Sequence, residues 1–332
     1  RHRSWLDFQH TRETLIMMDS LDLLLAPWST PEQVSWNLQI AVMGTLVCLS
    51  CGIVGTFIVI RRMALLGDAI SHGILPGIVI AYLLTGSLSI GPMWIGACLA
   101  GVACGFLIEL LRTQTPLRED AAMGLTFTSF FALGVVLLSS EVKHVHLDPS
   151  CILYGEIGLV PLQGELVIGD LWLGNRTIWT MGFICFATLA LCVVFYRLLL
   201  VTSFDLHLAK SLGMPVKIIQ YGLMVILCLV LTASFESVGV ILVISMMILP
   251  ALSSSFLFAR LPMVLMSCLP FSCLYAIGGI HLAHLMNFPI SASMTLVGVA
   301  LFVPCCLLGP NGGLLFNLRN AQKRSTQKSL SS

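Results

Sequence analysis

Nine apolar runs, each about as long as a bilayer is thick, constrain the fold of this chain more than any other feature. They lie at 38–60, 64–85, 91–111, 121–140, 177–200, 218–235, 238–258, 262–284 and 289–308. About 20 apolar residues in a helix cross the hydrocarbon layer of a membrane. Inside that layer a backbone must satisfy its own hydrogen bonds, as a helix does. The pattern predicts an all-α polytopic membrane protein with about eight or nine transmembrane helices.

The scarcity of charge supports the same interpretation. Only 10% of the 332 residues are Asp, Glu, Lys or Arg, whereas 57% are hydrophobic, and a typical soluble domain is about 25% charged. A chain with so many apolar side chains can expose them to lipid, and we expect membrane lipid to surround it. The net charge of +1 provides no basic field that could hold DNA or RNA, so we expect no nucleic-acid partner.

The junction of the sixth and seventh runs is compatible with more than one topology. Only a few residues around Phe235–Val238 separate the two runs, which is too short for a normal external loop. They could be two full spans, half-helices or a re-entrant pair. Basic residues near helix ends collect on the cytoplasmic side. If Arg61 and Arg62 lie inside, most other Lys and Arg side chains do too, which predicts a cytoplasmic C-terminus and an external N-terminus.

The same pattern divides the chain into an N-terminal arm (1–35), a membrane domain (36–310) and a polar tail that we expect to be cytoplasmic and disordered (311–332). Two connections are long enough to carry function. The segment 141–176 is predicted to cap the outer side. The segment 203–217 lies on the cytoplasmic side and has a short helical pattern ended by Gly213 and Pro215, which suits docking of another protein.

Asp68 and His72 are the clearest candidates for chemistry, because ionisable groups between apolar runs are expensive to place in a membrane. They stand four residues apart in MALLGDAISHGILPG, which puts both side chains on one face of a helix. A carboxylate and an imidazole at that spacing can coordinate a divalent first-row metal. Alternatively, the pair could lock helix packing through a hydrogen bond.

Three further sets of side chains could bind metal. They are an acid at the junction of the sixth and seventh runs, a histidine pair at spacing i, i+3, and an H-x-H-x-D run in the predicted external loop: Glu236; His281 and His284; His144, His146 and Asp148. Each has a plainer alternative, because an acid or a histidine at a membrane interface or in a loop can simply be solvated. For His144, His146 and Asp148 in particular, the position in a loop favours solvated side chains over a metal site.

Motifs of energy coupling and hydrolysis are missing from this sequence. It contains no Walker A motif, no H-E-x-x-H and no G-x-S-x-G, so neither ATP hydrolysis nor a familiar intramembrane hydrolysis is assigned to it. If transport is driven by ATP, the ATPase must be another chain. An ion-coupled secondary carrier and a membrane-embedded metalloenzyme remain as rivals. The first should show internal repeats, and the second needs a general base and a substrate cleft.

Two long blocks of the chain resemble the ABC-3 family of permeases, which serve bacterial manganese, zinc and iron importers. The first is RRMALLGDAISHGILPGIVIAYLL, and the second begins SFDLHLAKSLGMPVK and continues through ESVGVILVISMMILPA. A shorter segment, LDPSCILYGEI, is also similar to the family. The resemblance extends from about Trp36 to about Pro310, which is most of the chain.

The resemblance implies a type II-like ABC importer permease in the bacterial cytoplasmic (inner) membrane. Such a chain is not an enzyme and binds no permanent cofactor; it passes Mn, Zn or Fe. Implied partners are an ABC ATPase, a metal-binding extracytoplasmic solute-binding protein and a second permease subunit, either identical or paralogous. Carried over by position, the metal path would involve Asp68, His72, Glu236, His281 and His284. The contact with the ATPase would involve Leu206, Ala209, Leu212 and Gly213.

Overall fold

The structure is a computed structural model that describes residues 26–86, 89–141, 156–168 and 171–315. This part is almost entirely helical. Its helices are α1 (Pro31–Ile60), α2 (Leu66–Gly73), α3 (Leu75–Thr85), α4 (Ile90–Gln114), α5 (Glu119–Glu141), α6 (Arg176–Val194), α7 (Tyr196–Phe204), α8 (Leu206–Ser211), α9 (Val216–Val238), α10 (Val240–Leu257), α11 (Leu261–Met286) and α12 (Ile290–Leu308). Between α5 and α6 lie a 3-10 turn (Ile157–Leu162) and an antiparallel hairpin of β1 (Glu165–Ile168) and β2 (Leu171–Asn175). A second 3-10 turn, Ala26–Trp28, precedes α1.

Within the described residues, nine helical segments are long and apolar enough to cross a membrane, which confirms the predicted architecture. The helices α2 and α3 together form one of these segments, Leu66–Thr85. The fifth segment ends at Val194, and the predicted span up to residue 200 instead continues into the separate short helix α7. The hairpin in the predicted external loop was not expected from the sequence.

The first helix begins at Pro31, earlier than the predicted start at residue 38, because local capping signals extend it beyond the apolar run. The hydroxyl of Thr30 accepts a hydrogen bond from the backbone N–H of Gln33 at 3.3 Å. Proline in the first helical position removes a donor that would have no partner there. A polar first turn is thereby added to the helix.

The long helix α1 forms the centre of the molecule. It packs against α10 and α11, and both of these pack against α12, so the four helices form one bundle. At Gly55 a side chain would collide with the backbone carbonyl oxygen of Met247, which shows how closely α1 and α10 approach. A second group consists of α3, α4 and α5, and α9 joins the two groups by packing on α1, α4 and α6.

The junction of α9 and α10 is a single residue, Gly239, with φ of 76°. Glycine adopts this conformation without the steric penalty that a Cβ would add, so the chain can change direction here. The segments Val216–Phe235 and Val240–Leu257 are each long enough to cross a membrane. Helix length therefore does not favour the half-helix alternative that the sequence left open.

Candidate metal site and coupling helix

The short helix α2 presents Asp68 and His72 on its exposed face. The Nε2 atom of His72 lies 3.5 Å from Oδ1 of Asp68, and the two side chains are 35% and 43% exposed, respectively. This separation exceeds the 2.7–3.2 Å typical of an N–H···O hydrogen bond. The two groups are therefore close enough to bind one ion and are not locked to each other by a strong hydrogen bond.

Small residues on the opposite face allow α2 to sit deep in the protein. A side chain at Gly67 would collide with the end of Met247, and one at Gly73 would lie 2.6 Å from the sulfur of Cys104. Ser71 is fully buried and donates to the carbonyl of Gly67 at 2.6 Å. Because these positions face inward, Asp68 and His72 are the groups that α2 turns outward.

Two aromatic side chains of α5 contact the imidazole ring of His72. The ring centroid lies 6.0 Å from that of Phe127 and 5.7 Å from that of Phe131, the latter at 86° to the ring plane. Apolar rings on these sides restrict the rotamer of His72 and provide no hydrogen-bond acceptor for it. No local pattern singles out this pair of phenylalanines, because their contact with His72 depends on α5 packing against α2.

The ligands of a complete metal site are not all present among the residues that the structure describes. No group of three or more His, Cys, Asp or Glu side chains within that part could hold a metal ion. Divalent first-row metals usually take four or more ligands. If Asp68 and His72 bind a metal ion, its remaining ligands must therefore come from outside the described part of this chain.

His281 and His284 lie on α11, and no cluster of ligands in the described part joins them to Asp68 and His72. The Nε2 atom of His281 accepts a hydrogen bond from the indole of Trp28 at 3.4 Å. The amide of Asn37 lies 3.4 Å from Nε2 of His284 and also donates to the carbonyl of Pro27 at 2.6 Å. The histidines thereby connect the turn Ala26–Trp28 to α1 and α11.

Other predicted ligands cannot be placed in the same detail. The backbone of Glu236 lies in the last turn of α9, and its side chain lies outside the described residues. His144, His146 and Asp148 also lie outside them.

The predicted cytoplasmic connection contains the six-residue helix α8, which begins and ends with local signals. The carboxylate of Asp205 accepts the backbone N–H of Leu208 at 2.9 Å, which caps the first turn. Gly213 follows the helix with φ of 71°, a conformation that favours glycine. Both signals are visible in the sequence as D-x-x-L and L-G-M-P.

The side chains of this connection divide into an exposed apolar row and one buried contact. Leu206, Leu208 and Leu212 are 43%, 48% and 59% exposed, whereas Ala209 is fully buried. Ala209 therefore packs α8 against the helix bundle. The three leucines point away from the bundle and are available to a partner.

Comparisons with known proteins find similarity to one family of membrane transport proteins along most of the chain. The sequence profile of the ABC 3 transport family matches residues 34–309. The chain is 39% identical over 281 residues to the manganese transport system membrane protein MntD of Bacillus subtilis, covering 85% of this chain and 95% of that one. It is 35% identical over 281 residues to the zinc transport system membrane protein TroD of Treponema pallidum, covering 84% and 76%.

A solved structure shows the same likeness in three dimensions. PsaBC from Streptococcus pneumoniae, in complex with Fab, aligns with a TM-score of 0.69 and 28% identity over 89% of this chain and 98% of the matched chain. The agreement covers nearly the whole of that chain, so it concerns the overall arrangement of helices rather than a shared motif.

Proposed function

The chain belongs to the ABC 3 transport family, and we propose on that premise that it is the membrane-spanning permease subunit of an ATP-driven importer of a divalent transition metal. The match over residues 34–309, which spans all nine candidate membrane helices except the first residues of α1, carries this conclusion. Membership of a family of membrane permeases argues against the alternative that the chain is a membrane-embedded metalloenzyme. The chemistry of the permease is ligand exchange on the transported ion, with no covalent step.

Asp68 and His72 are proposed as ligands of the ion in transit. Relatives of this chain are manganese and zinc transport proteins, and a carboxylate oxygen with an imidazole nitrogen suits Mn, Zn or Fe without choosing among them. Their partial exposure supports the role, because a transported ion must enter and leave the site. The hydrophobic rings of Phe127 and Phe131 hold the His72 side chain in place while the ion enters and leaves.

A second permease subunit would complete the site. One chain supplies two ligands, and a two-fold arrangement of two chains that bring their α2 helices together would supply four, which is the number that a tetrahedral ion takes. This argument applies directly to an identical subunit. A paralogous subunit serves equally if it carries the same two side chains.

The remaining assignments are proposed from membership of the ABC 3 transport family. We place it in the bacterial inner membrane, with an ABC ATPase against the exposed leucines of α8 and a metal-binding solute-binding protein at the outer face. Glu236, His281 and His284 are proposed as further metal contacts near that face. For the histidine pair, Trp28 and Asn37 would have to release the Nε2 atoms before either could bind metal at that nitrogen.

The test is ATP-dependent uptake by vesicles that contain this chain and an ABC ATPase. Uptake of Mn, Zn and Fe is compared for the native chain, for Asp68→Ala with His72→Ala, and for Asp120→Ala as a matched control. Asp120 is an exposed acid in the first turn of α5, so it reports the effect of losing a carboxylate away from the site. We expect uptake of one metal to vanish in the double variant and to persist in the control.

Each other outcome would change a specific part of the proposal. Undiminished uptake by the double variant would reduce Asp68 and His72 to packing residues. Uptake that proceeds without ATP would favour the ion-coupled secondary carrier.

A further inference from the structure

A cavity of about 210 Å³ opens beside α8, at the helix ends that carry the basic residues. Of the residues described as lining it, three are arginines and one is a glutamate: Arg61, Arg62, Arg112 and Glu119, together with Ile60, Thr202, Ser203, Leu206, Val216 and Gln220. The wall of the cavity therefore carries more positive than negative charge. A space of this size can hold a carboxylate or a phosphate group.

Arg112 does not account for this excess, because carboxylates neutralise it. Its guanidinium makes two contacts with Glu109, at 2.9 and 3.0 Å, and a third with Glu119 at 2.7 Å. Charge-assisted, bidentate pairs of this kind are strong. Together, Arg112, Glu109 and Glu119 carry one more negative than positive charge. The net positive charge at the cavity therefore comes from Arg61 and Arg62.

Among the described residues, Arg61 donates hydrogen bonds to neutral hydroxyl groups and not to a carboxylate. Its Nε atom donates to the hydroxyl of Ser203 at 3.2 Å, and a terminal nitrogen donates to that of Thr202 at 3.1 Å. The ion pairs found among the described residues do not include Arg61. Burial, and after it repulsion from Arg112, lowers the pKa of Arg61 to about 10, while attraction to Glu109 opposes the shift. The side chain is still a cation at neutral pH, and no carboxylate of the described residues lies within ion-pair distance of it.

Arg62 occupies a backbone position that favours glycine. The N–H of Arg62 donates to the carbonyl of Val59 at 2.9 Å and that of Met63 to the carbonyl of Ile58 at 3.0 Å, the two bonds of a Schellman motif at the end of α1. Arg62 has φ of 61°, which costs a residue with a side chain about 1 kcal/mol. The arginine thus adds a cation to the cavity wall at a position where glycine would be more stable.

We propose that this cavity is an anion site that receives a carboxylate side chain of the partner ATPase. The inference rests on the proposed function, since it requires that partner. The cavity wall supports this source of the anion. Thr202 and Ser203 lie near the end of α7, Leu206 is the first residue of α8, and Val216 and Gln220 lie in α9. Leu206 belongs both to the cavity wall and to the exposed apolar row, so the cavity adjoins the leucines of α8.

The leucines and the cavity have different roles. The leucines bury apolar area, which is not directional. A carboxylate between Arg61 and Arg62 fixes the orientation of the partner on α8, since charged contacts give register and specificity. It also provides Arg61 with a direct ion-pair partner, which the described residues of this chain do not provide.

The deciding measurement is the affinity of the ABC ATPase for the chain in detergent free of anionic lipid, for the native chain and for three variants. Arg62→Gly removes the cation at a position where glycine suits the backbone, so the variant should fold. Arg62→Lys keeps the charge, and Arg118→Gly removes an exposed arginine that does not line the cavity. We expect Arg62→Gly to bind about tenfold more weakly, as for the loss of a hydrogen bond to a charged group. It should also show a smaller salt dependence.

Arg62→Lys should retain most of the native affinity, and Arg118→Gly should match the native chain. Equal binding by Arg62→Gly and the native chain would overturn the inference and leave the proposed function intact. A loss that appears only in bilayers containing phosphatidylglycerol would also overturn it, because the anion would then be a lipid phosphate. If the native chain bound no ABC ATPase at all, the proposed function would fail and this inference with it.

Discussion

The ion pair between Glu109 and Arg112 allows a quantitative test of how burial sets the cost of losing a charge. Glu109 is only 2% exposed and accepts two hydrogen bonds from Arg112. The substitution Glu109→Gln keeps the shape of the side chain, removes the charge and turns one acceptor oxygen into an N–H donor that faces a guanidinium. Breaking a buried pair from one side costs about 3–5 kcal/mol.

We expect a loss near the lower end of that range, about 3 kcal/mol, because Arg112 keeps its contact with Glu119. The matched comparison is Glu119→Gln. The Glu119 side chain is 40% exposed and makes one contact with the same arginine, so water replaces much of what is lost and the cost should be at most about 1 kcal/mol.

Reversible denaturant unfolding in detergent micelles, followed by circular dichroism, measures both changes. A third variant, Glu109→Leu with Arg112→Leu, removes both partners and should recover much of the stability lost in Glu109→Gln, because no buried charge remains unpaired. If Glu109→Gln cost no more than Glu119→Gln, or if the double variant were the least stable of the three, the burial argument would be refuted.

Three smaller predictions can be checked on the purified chain. Gly77→Ala should destabilise it by about 2 kcal/mol in a thermal melt, because a Cβ there collides with a backbone carbonyl of α4, whereas Gly222→Ala, with open space around it, should cause no loss. Asp205→Ala removes the cap of α8, so ATPase binding should fall by the equivalent of about 1 kcal/mol; unchanged binding would mean that α8 does not need its cap to dock. Tyr275→Phe removes the hydroxyl that pairs with Ser253 at 3.1 Å in the core and should cost about 1 kcal/mol in the same thermal assay, so a fully stable variant would contradict that contact.

The number and approximate position of the membrane helices were predictable from the sequence, because length and hydropathy are local properties that lipid imposes on any spanning segment. The shared face of Asp68 and His72 was predictable for a similar reason, since helical geometry fixes the relation of residues four apart. The start of α1 was predicted too late because the apolar run was followed and the Thr30–Pro31 capping signal was not.

Other features depend on which helices become neighbours, and no local pattern specifies that. The aromatic rings beside His72 come from α5, the hydroxyls beside Arg61 from α7, and the hydrogen-bond partners of His281 and His284 from the turn before α1 and from α1 itself. Residues far apart in the chain meet in each case, through packing that the periodicity of a single helix does not encode.

The amino-acid sequence by itself thus specifies a membrane protein with a carboxylate and an imidazole on one helical face, because hydropathy and helix geometry act within a few turns. The tertiary structure alone decides that this face stays partly open while the rest of α2 is buried, and that Arg61 and Arg62 border a cavity beside α8. Burial and charge compensation depend on every neighbouring segment at once, so they are settled only when the helices pack.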